Sequence, residues 1–417
     1  MPVQHLIKNA ENILRAFEIE PRPLDRMVDA YYRQHRNLGA KERQIISETV
    51  FGVMRWKRRL DGVLMVSGIN RPTRVQCIAA YLLWKIQDVD QKSIHTIISK
   101  SLDFDPPLKA FPGGPAAFWS YPDFIYKRLV KWKGEVWAAK IAAALNEKAQ
   151  VVIRVNALKI DRDELQKQLE KDGVKSTSTT YSPYGLVLQE RVNLNSLSSF
   201  KQGLFEVQDE ASQLVGLLVA PKEGETIIDV CAGAGGKTLL MAMLMKGRGK
   251  IIASDIDTRK LSILKQRAKQ AGVGNIEILS PDKVKERYEQ RADALLIDAP
   301  CSGTGTLRRS PDLKWRLNDN DLTDRIEMQK QLLEKSTRLV KPAGRLIYAT
   351  CSILPAENED IALWFQKKFS WNIIQVSELL NITDKDQLVT PEGYFRTDPS
   401  IMSMDGFFGC VFRRGFG

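Results

Sequence analysis

Two cysteines follow hydrophobic runs that predict buried strands. Cys301 comes three residues after Asp298, which ends the run 295–298, and Cys351 directly follows the run 344–350. Ligands of open α/β sheets bind at the carboxyl ends of the strands, where both thiols are expected. A thiolate is a nucleophile that forms covalent intermediates. The sequence therefore predicts a site in which Asp298, Cys301 and Cys351 act together.

The number and spacing of the cysteines and histidines argue against disulfides, a zinc site and Cys-His catalysis. The five cysteines are Cys77, Cys231, Cys301, Cys351 and Cys410. An odd number without CxxC spacing argues against a disulfide framework and against a zinc site. The three histidines lie in the first hundred residues, which disfavours Cys-His catalysis. We therefore expect free thiols in a reducing compartment and no bound metal.

The second half of the chain has the pattern of a parallel sheet. From residue 205 onward, short hydrophobic strands alternate with helices, which is typical of a sheet covered by helices on both faces. Strands are expected at 226–231, 251–255, 275–279, 293–298 and 345–350, with edge strands at 371–376 and 406–412. Helices are expected at 239–245, 258–271 and 322–340. This pattern predicts a Rossmann-like α/β domain with a mostly parallel sheet.

A glycine-rich turn joins the first of these strands to its helix. It consists of Cys231, Ala232, Gly233, Ala234, Gly235, Gly236 and Lys237. A phosphate-binding loop would need glycine six residues before Lys237, where Cys231 stands. The dinucleotide fingerprint G-x-G-x-x-G also fits poorly, because the glycines here are spaced G-x-G-G. The turn instead predicts a ligand that lies close to the backbone.

Three carboxylates follow the next strands on the same predicted sheet edge. They are Asp255, Asp282 and Asp298. Such a set suits a ligand that carries ribose hydroxyls, an ammonium and a sulfonium, and it would repel the pyrophosphate of a dinucleotide. The turn and the three acids therefore predict binding of S-adenosylmethionine.

The amino-terminal third is helical and basic. Residues 1–140 contain amphipathic helical patterns separated by turns with proline and glycine. Residues 1–150 hold 24 Lys+Arg and 15 Asp+Glu, so 24 minus 15, or +9, of the net charge of +12 lies there. This excess predicts a polyanionic partner, and nucleic acid is the natural one.

A small α+β unit is expected between the helical and the Rossmann-like regions. It contains a strand at 151–159, a helix at 161–173 and a strand at 185–189. Arg154, Asn156 and Lys159 are the donors that we predict to contact an RNA backbone. A second set is expected to hold the phosphates that flank a target nucleotide, and it consists of Arg308, Arg309, Lys314 and Arg316.

Several motifs resemble one enzyme family. The chain is similar to the Fmu/Sun (RsmB-like) branch of the Nop/Sun family of RNA cytosine-5 methyltransferases at 205–212, 229–238, 298–305, 310–315, 350–352 and 405–408. Residues 154–159 match the family's RNA-contacting segment, and 48–55 resemble its NusB-like RNA-binding domain. Gly233 and Ala234 stand where the family usually has Ala-Pro, and the loss of proline predicts a looser turn. Where the family usually has Gly-Asp, this chain has Pro281 and Asp282, so only the acid is the same.

The resemblance implies a domain organisation and a reaction. It implies an all-helical NusB-like domain at 1–140, a small α+β RNA-binding subdomain at 141–204, and a class I methyltransferase domain at 205–417. It implies methyl transfer from S-adenosylmethionine to carbon 5 of a cytosine in RNA, with 16S ribosomal RNA expected. In this family the equivalent of Cys351 attacks carbon 6 and that of Cys301 assists release, while Asp298 would hold the cytosine edge.

Other functions stay open on the sequence alone. The same reaction on tRNA or 23S ribosomal RNA is one alternative, and a non-catalytic RNA-binding assembly factor is another. A nicotinamide dehydrogenase is disfavoured by the spacing of the turn and by the charge. No apolar run approaches the roughly 18 residues of a membrane span, so we expect a cytoplasmic monomer.

Overall fold

The computed structural model describes residues 2–414, which form two compact units. The helical unit comprises the described chain up to Lys148 together with Thr306–Asp321, and the sheet unit comprises Ala149–Gly305 and the described chain from Leu322 onward. The sequence analysis placed 306–321 in the methyltransferase domain, whereas the structure groups this segment with the amino-terminal helices. The predicted division into three domains stays a prediction.

The helical unit contains seven α-helices in the described chain before residue 149. An eighth lies in the segment 306–321, which we call the returning segment. Numbered in chain order, they are α1 (Val3–Ile19), α2 (Leu24–Gln34), α3 (Ala40–Val66), α4 (Arg74–Lys85), α5 (Gln91–Ile98), α6 (Gly114–Phe118), α7 (Asp123–Leu145) and α14 (Leu313–Arg316). Leu6, Ile46 and Leu82 are fully or almost fully buried in a core shared by α1, α3 and α4. Helix α4 begins at a capping box, in which Thr73 accepts from Gln76 N and Gln76 Oε1 accepts from Thr73 N.

The returning segment is anchored in the helical unit by a buried lysine. Lys314 is 0% exposed, and its Nζ donates to Arg55 O at 3.0 Å, Ser120 O at 2.9 Å and Asn146 Oδ1 at 2.6 Å. Its ammonium also faces the Tyr121 ring at 4.2 Å. All three donors of an ammonium are therefore used inside the protein. The prediction that Lys314 binds RNA phosphates is wrong, because this side chain holds the segment in the helical core.

The sheet unit begins with a small antiparallel sheet. Its elements are β1 (Val151–Val155), α8 (Arg162–Lys171), β2 (Ser176–Ser178), β3 (Gly185–Leu188), α9 (Ser198–Lys201) and β4 (Phe205–Val207). The strand order is β2-β3-β1-β4, and every pair is antiparallel. The sequence analysis assigned residues 205–207 to the Rossmann-like domain, whereas in the structure they complete this small sheet as its edge strand.

The larger sheet follows the expected alternation of strands and helices. Its elements are α10 (Glu210–Leu218), β5 (Thr226–Asp229), α11 (Gly236–Leu244), β6 (Lys250–Ala253), α12 (Thr258–Ala271), β7 (Ile276–Ile278), α13 (Pro281–Arg287), β8 (Ala292–Asp298), α15 (Asp319–Ser336), β9 (Val340–Thr350), α16 (Glu359–Phe369), β10 (Asn372–Ile374), α17 (Val376–Leu379), β11 (Phe395–Arg396) and β12 (Phe408–Arg413). The order is β10-β12-β9-β8-β5-β6-β7, with β11 on β12. Strands β5 to β9 are parallel and the pairs with β12 are antiparallel. The predicted Rossmann-like multidomain fold is confirmed, with a mixed sheet.

Alternate residues of the strands enter two different cores, one on each face of the sheet. In β8, Ala294 and Leu296 pack with α10 and α11, whereas Leu295 and Ile297 pack with α13, α15 and α16. This alternation follows from the period of two along a strand, and it explains why the strands are hydrophobic at nearly every position. Within residues 2–414, no helix combines the length and the apolar character that a bilayer crossing requires.

The sheet order creates one point at which the chain changes direction. From β5 the sheet grows through β6 to β7 on one side, and then β8 and β9 are added on the other side of β5. The helices that follow β5 and β8 therefore leave in opposite directions, which opens a crevice at the carboxyl ends of these two strands. The glycine-rich turn and the Asp298–Cys301 segment lie at this place.

We expect Lys314→Met to destabilise the helical unit by about 2–4 kcal/mol, because three buried oxygens lose their donor while the volume is nearly kept. The free energy of unfolding should be measured by chemical denaturation with circular dichroism. Lys131→Met, which removes an exposed lysine from α7, is the control and should change stability little. Equal stabilities of the two variants would contradict the anchoring role.

Candidate active site

The two strand-end thiols meet at the edge of the large sheet. Strands β8 and β9 pair in parallel, with Asp298 opposite Ala349, so the loops that follow them are neighbours. The Cys301 and Cys351 sulfur atoms are 3.5 Å apart, and both cysteines are half-buried and free. Two half-buried thiols at this distance can act on one small substrate ring.

A close backbone contact holds these loops in place. Gly305 N donates to Cys351 O at 2.9 Å, and Gly406 N donates to Gly305 O at 2.9 Å. A Cβ at Gly305 would lie 1.8 Å from the Gly406 oxygen, so only glycine fits there. The glycine that ends the 298–305 motif thereby ties the two cysteine loops to the 405–408 motif.

Asp298 and Lys237 form an ion pair beside the thiols. Lys237 Nζ lies 2.7 Å from Asp298 Oδ2, and the lysine is almost entirely buried. Burial opposes its charge, but the charge of Asp298 and the hydrogen bond to it prevail, so the pKa of Lys237 is raised. The Asp298 carboxylate remains partly exposed, with a side-chain exposure of 32%. It can therefore face a ligand while it is held by the lysine.

The glycine turn is shaped by its neighbours and open on one side. Gly233 has φ of 54° and Gly235 has φ of 88°, both in the left-handed region. A Cβ at Gly235 would lie 2.1 Å from Leu264 Cδ1, whereas none of the described atoms lies within 4 Å of the position for Gly233. Gly233 N donates to Asp255 Oδ2 at 2.8 Å. The backbone at Gly233 thus borders open space next to a half-buried carboxylate.

These features fit S-adenosylmethionine. The open backbone at Gly233 allows close approach of a ligand, Asp255 has lone pairs left for ribose hydroxyls, and Asp298 offers negative charge. Behind the turn, Asp229 Oδ2 accepts from Thr238 Oγ1 at 2.7 Å, and burial raises the pKa of Asp229 to about 7. Asp282 is exposed in the first turn of α13. The assignment of Asp282 to the cofactor stays a prediction.

Two residues predicted to contact RNA are buried in the sheet unit, and one of them, Arg154, supports the glycine turn. Arg154 is 3% exposed, and it donates to Gln208 Oε1 and, at 2.8 Å, to Gly236 O. Burial lowers the pKa of Arg154 to about 10. Asn156 is also buried, and its Nδ2 donates to Gly203 O and Ala271 O. The prediction that Arg154 and Asn156 contact RNA is wrong, because both side chains are buried and donate to oxygens inside the sheet unit.

The other predicted RNA contacts keep accessible surface. Lys159 is exposed, although its Nζ donates to Gln202 O and Gln270 O at 2.7 Å each. In the helical unit, Arg308, Arg309 and Arg316 are half-buried. Arg308 Nε donates to Ala144 O, and Arg316 Nε donates to Asp312 Oδ2, both at 2.8 Å. Their contact with RNA stays a prediction.

The sequence analysis missed the polar residues behind the cysteines. Ser302, Thr304 and Ser352 have hydroxyls within 3.1 Å of one another, and all three are buried. Glu357 accepts from Ser302 N at 2.8 Å and is completely buried. The only signal in the sequence was a carboxylate six residues after Cys351, which the pattern of strands and helices does not require.

We expect Asp255→Asn to weaken the binding of S-adenosylhomocysteine about tenfold or more, or ~1.4 kcal/mol, because the carboxylate accepts from the turn and is predicted to accept from a ribose. Isothermal titration calorimetry measures the affinity. Asp163→Asn, an exposed change on α8, should leave it unaltered. Unchanged affinity in Asp255→Asn would remove this residue from the cofactor site.

Two family models match the chain. The model described as 16S rRNA methyltransferase RsmB/F matches residues 216–413. The model described as the ferredoxin-like domain of RsmF/B-like methyltransferases matches residues 121–195. The second match begins before α7, so it includes this helix together with most of the small sheet.

Individual proteins extend the similarity over nearly the whole chain. The probable ribosomal RNA small subunit methyltransferase B of Synechocystis sp. is 27% identical, with 95% of this chain and 96% of that protein covered. The ribosomal RNA small subunit methyltransferase B of Vibrio vulnificus is 33% identical over 70% of this chain and 66% of its own. The crystal structure of PH0851 is 26% identical, covers 99% of both chains and has a TM-score of 0.80.

The family models, the relatives and the motifs agree with the geometry of the site. The glycine turn, the carboxylates and the paired cysteines all lie within or close to the matched residues. The chain belongs to the RsmB/F family of S-adenosylmethionine-dependent methyltransferases, within the Fmu/Sun branch whose motifs it carries.

Proposed function

We propose that this protein methylates carbon 5 of a cytosine in 16S ribosomal RNA through a covalent adduct with Cys351. The observation that carries the proposal is the pair of sulfur atoms 3.5 Å apart beside Asp298, because a single reactive pyrimidine can be served by all three groups. The names of the family and of its ribosomal relatives support the choice of 16S RNA.

The chemistry of cytosine explains the need for a thiol. Carbon 5 is a weak nucleophile in the intact ring. When the Cys351 thiolate forms a bond to carbon 6, the ring's π electrons move toward nitrogen 3, and carbon 5 becomes an enamine carbon. In this mechanism Asp298, held by Lys237, holds the cytosine edge and favours protonation at nitrogen 3. Bound S-adenosylmethionine supplies an electrophilic methyl group.

Release of the product reverses the addition. The proton on carbon 5 passes to water, the double bond between carbons 5 and 6 forms again, and the electrons of the carbon–sulfur bond return to Cys351. In this mechanism Cys301, 3.5 Å from that sulfur, assists this step. Nitrogen 3 then gives up the proton that it gained during the addition. The target base must leave its helix or lie in a loop to reach the two thiols. We propose Lys159, Arg308, Arg309 and Arg316 as contacts to the flanking phosphates.

We expect Cys351→Ala to abolish methyl transfer, and Cys301→Ala to accumulate a protein–RNA adduct that survives denaturing electrophoresis. The first change removes the nucleophile, whereas the second removes assistance to release. Radiolabelled methyl transfer and gel shift of purified protein with RNA measure both outcomes. Cys77→Ala, a buried change in the helical unit, is the control and should keep activity. An adduct that requires Cys301 and persists without Cys351 would reverse the two roles.

The nucleic acid substrate is tested in cells. In a strain without this protein, bisulfite sequencing should show the loss of one methylated cytosine in 16S RNA, while 23S RNA and tRNA keep theirs. Restoration by the wild-type protein but not by Cys351→Ala shows that catalysis is required. A loss confined to tRNA or 23S RNA would identify that RNA as the substrate instead. No loss in any RNA would favour an assembly role.

A further inference from the structure

A buried carboxylate lies directly behind Cys301. Glu357 is 0% exposed and follows β9 in the connection to α16. Its Oε1 accepts from Ser302 N at 2.8 Å and from Gln329 Nε2 at 3.0 Å, and its Oε2 accepts from the Ser302 hydroxyl. Among residues 2–414, no cation lies within ion-pair distance of this carboxylate. A buried acid without a cation is costly, so its retention calls for a role.

Glu357 is hydrogen-bonded, directly and through Gln329, to the residues on both sides of Cys301. Ser302, the next residue in the chain, donates two hydrogen bonds to the carboxylate. Gln329, which also donates to Glu357, donates to the oxygen of Pro300 at 3.1 Å, on the other side. Tyr348 OH closes the network with bonds to Glu357 O at 2.7 Å and Gln329 Oε1 at 3.1 Å. The negative charge is therefore held against the backbone that carries Cys301.

The opposite charge faces the other cysteine. Lys237 interacts electrostatically with Cys351, and the lysine is held near the thiols by Asp298 at 2.7 Å. Glu357 and Tyr348 face Cys301 from β9 and its following turn, whereas Lys237 and Asp298 come from the glycine turn and β8. The two cysteines therefore differ in their charged neighbours: the Glu357 carboxylate acts on Cys301, and the Lys237 ammonium acts on Cys351.

Two thiols in contact do not ionise independently. With sulfur atoms 3.5 Å apart, a thiolate on one strongly disfavours a thiolate on the other, and the remaining S–H donates to it. The pKa of Cys301 is raised well above its ordinary value, first by its hydrogen bond with Cys351, then by burial, and further by the charges of Cys351 and Glu357. The surroundings of the pair are therefore unequal.

We propose that Glu357 is a positioning residue that directs the single negative charge of the cysteine pair to Cys351 and keeps Cys301 as the thiol. The proposal rests on the proposed function, in which Cys351 attacks carbon 6. It assigns Cys301 the task of donating its S–H to the Cys351 sulfur, both before attack and when the carbon–sulfur bond breaks. The electrons of the broken carbon–sulfur bond then return to the Cys351 sulfur, which already accepts a hydrogen bond from Cys301. Cys301 keeps its own proton throughout.

The test reads the ionisation of each cysteine without methyl transfer. The full-length protein is alkylated with iodoacetamide from about pH 5 to pH 10, and peptide mass spectrometry gives the rate at each cysteine. The midpoint of each rate profile reports thiolate formation and does not depend on how accessible the sulfur is. In the wild-type protein we expect a lower midpoint for Cys351 than for Cys301. The reverse order would overturn the proposal.

The decisive variant is Glu357→Gln, which removes the charge and keeps the shape. We expect the midpoint of Cys301 to fall by about one pH unit, so that its alkylation near neutral pH accelerates roughly tenfold. Glu327→Gln, an exposed change on α15, should leave both profiles unaltered. Unchanged profiles in a folded Glu357→Gln would show that Glu357 only packs, and overturn the proposal.

A second variant covers the case in which Glu357→Gln does not fold. Lys237→Met should raise the midpoint of Cys351 more than it changes that of Cys301, because the cation interacts with Cys351. Equal displacement of both midpoints would overturn the proposed division of charge. A protein with the expected profiles but no methyl transfer would contradict the proposed function and leave this inference standing.

Discussion

The parallel pairing of β8 with β9 is the constraint on which the site depends. Asp298 lies opposite Ala349, so the two strands end at nearly the same level. Cys301 follows three residues after the first strand and Cys351 one residue after the second, and this difference brings both sulfurs to one point. A shift of register by one residue would turn alternate side chains to the other face and separate the thiols.

Close packing of glycines makes this arrangement rigid. Gly305 and Gly406 approach so closely that neither has room for a Cβ, since one at Gly406 would lie 2.5 Å from Ile353 Cγ2. The motifs 298–305 and 405–408 are therefore two halves of one contact, although a hundred residues separate them. The antiparallel strand β12 supplies the second half, because it pairs with β9 from Phe408 onward. This strand, which lies between β9 and β10 in the sheet, thus contributes directly to the geometry of the thiols.

The sequence predicted the strands and helices of the large sheet well, because their periodicity is strong. Helix α12 has the predicted bounds, Thr258–Ala271, where a capping aspartate and Gly272 mark the two ends. The errors at the candidate site concern polar side chains, and two of them are cations. Arg154 and Lys314 were predicted to contact RNA, yet both are buried, and their side chains donate to oxygens of the protein. Burial of a cation depends on acceptors that are distant in the chain, which local pattern does not reveal.

Side-chain hydrogen bonds also compensate for the missing proline in the glycine turn. Replacement of the family's usual Ala-Pro by Gly233 and Ala234 predicts a looser turn. In the structure, Arg267 donates to Ala234 O at 2.5 Å, Arg154 donates to Gly236 O at 2.8 Å, and Asp255 accepts from Gly233 N. Arg267 is itself held by Glu206. Side chains from α12, from β1 and from the loop after β6 therefore bond to N–H and C=O groups of the turn. These charged hydrogen bonds replace the restraint that proline would give.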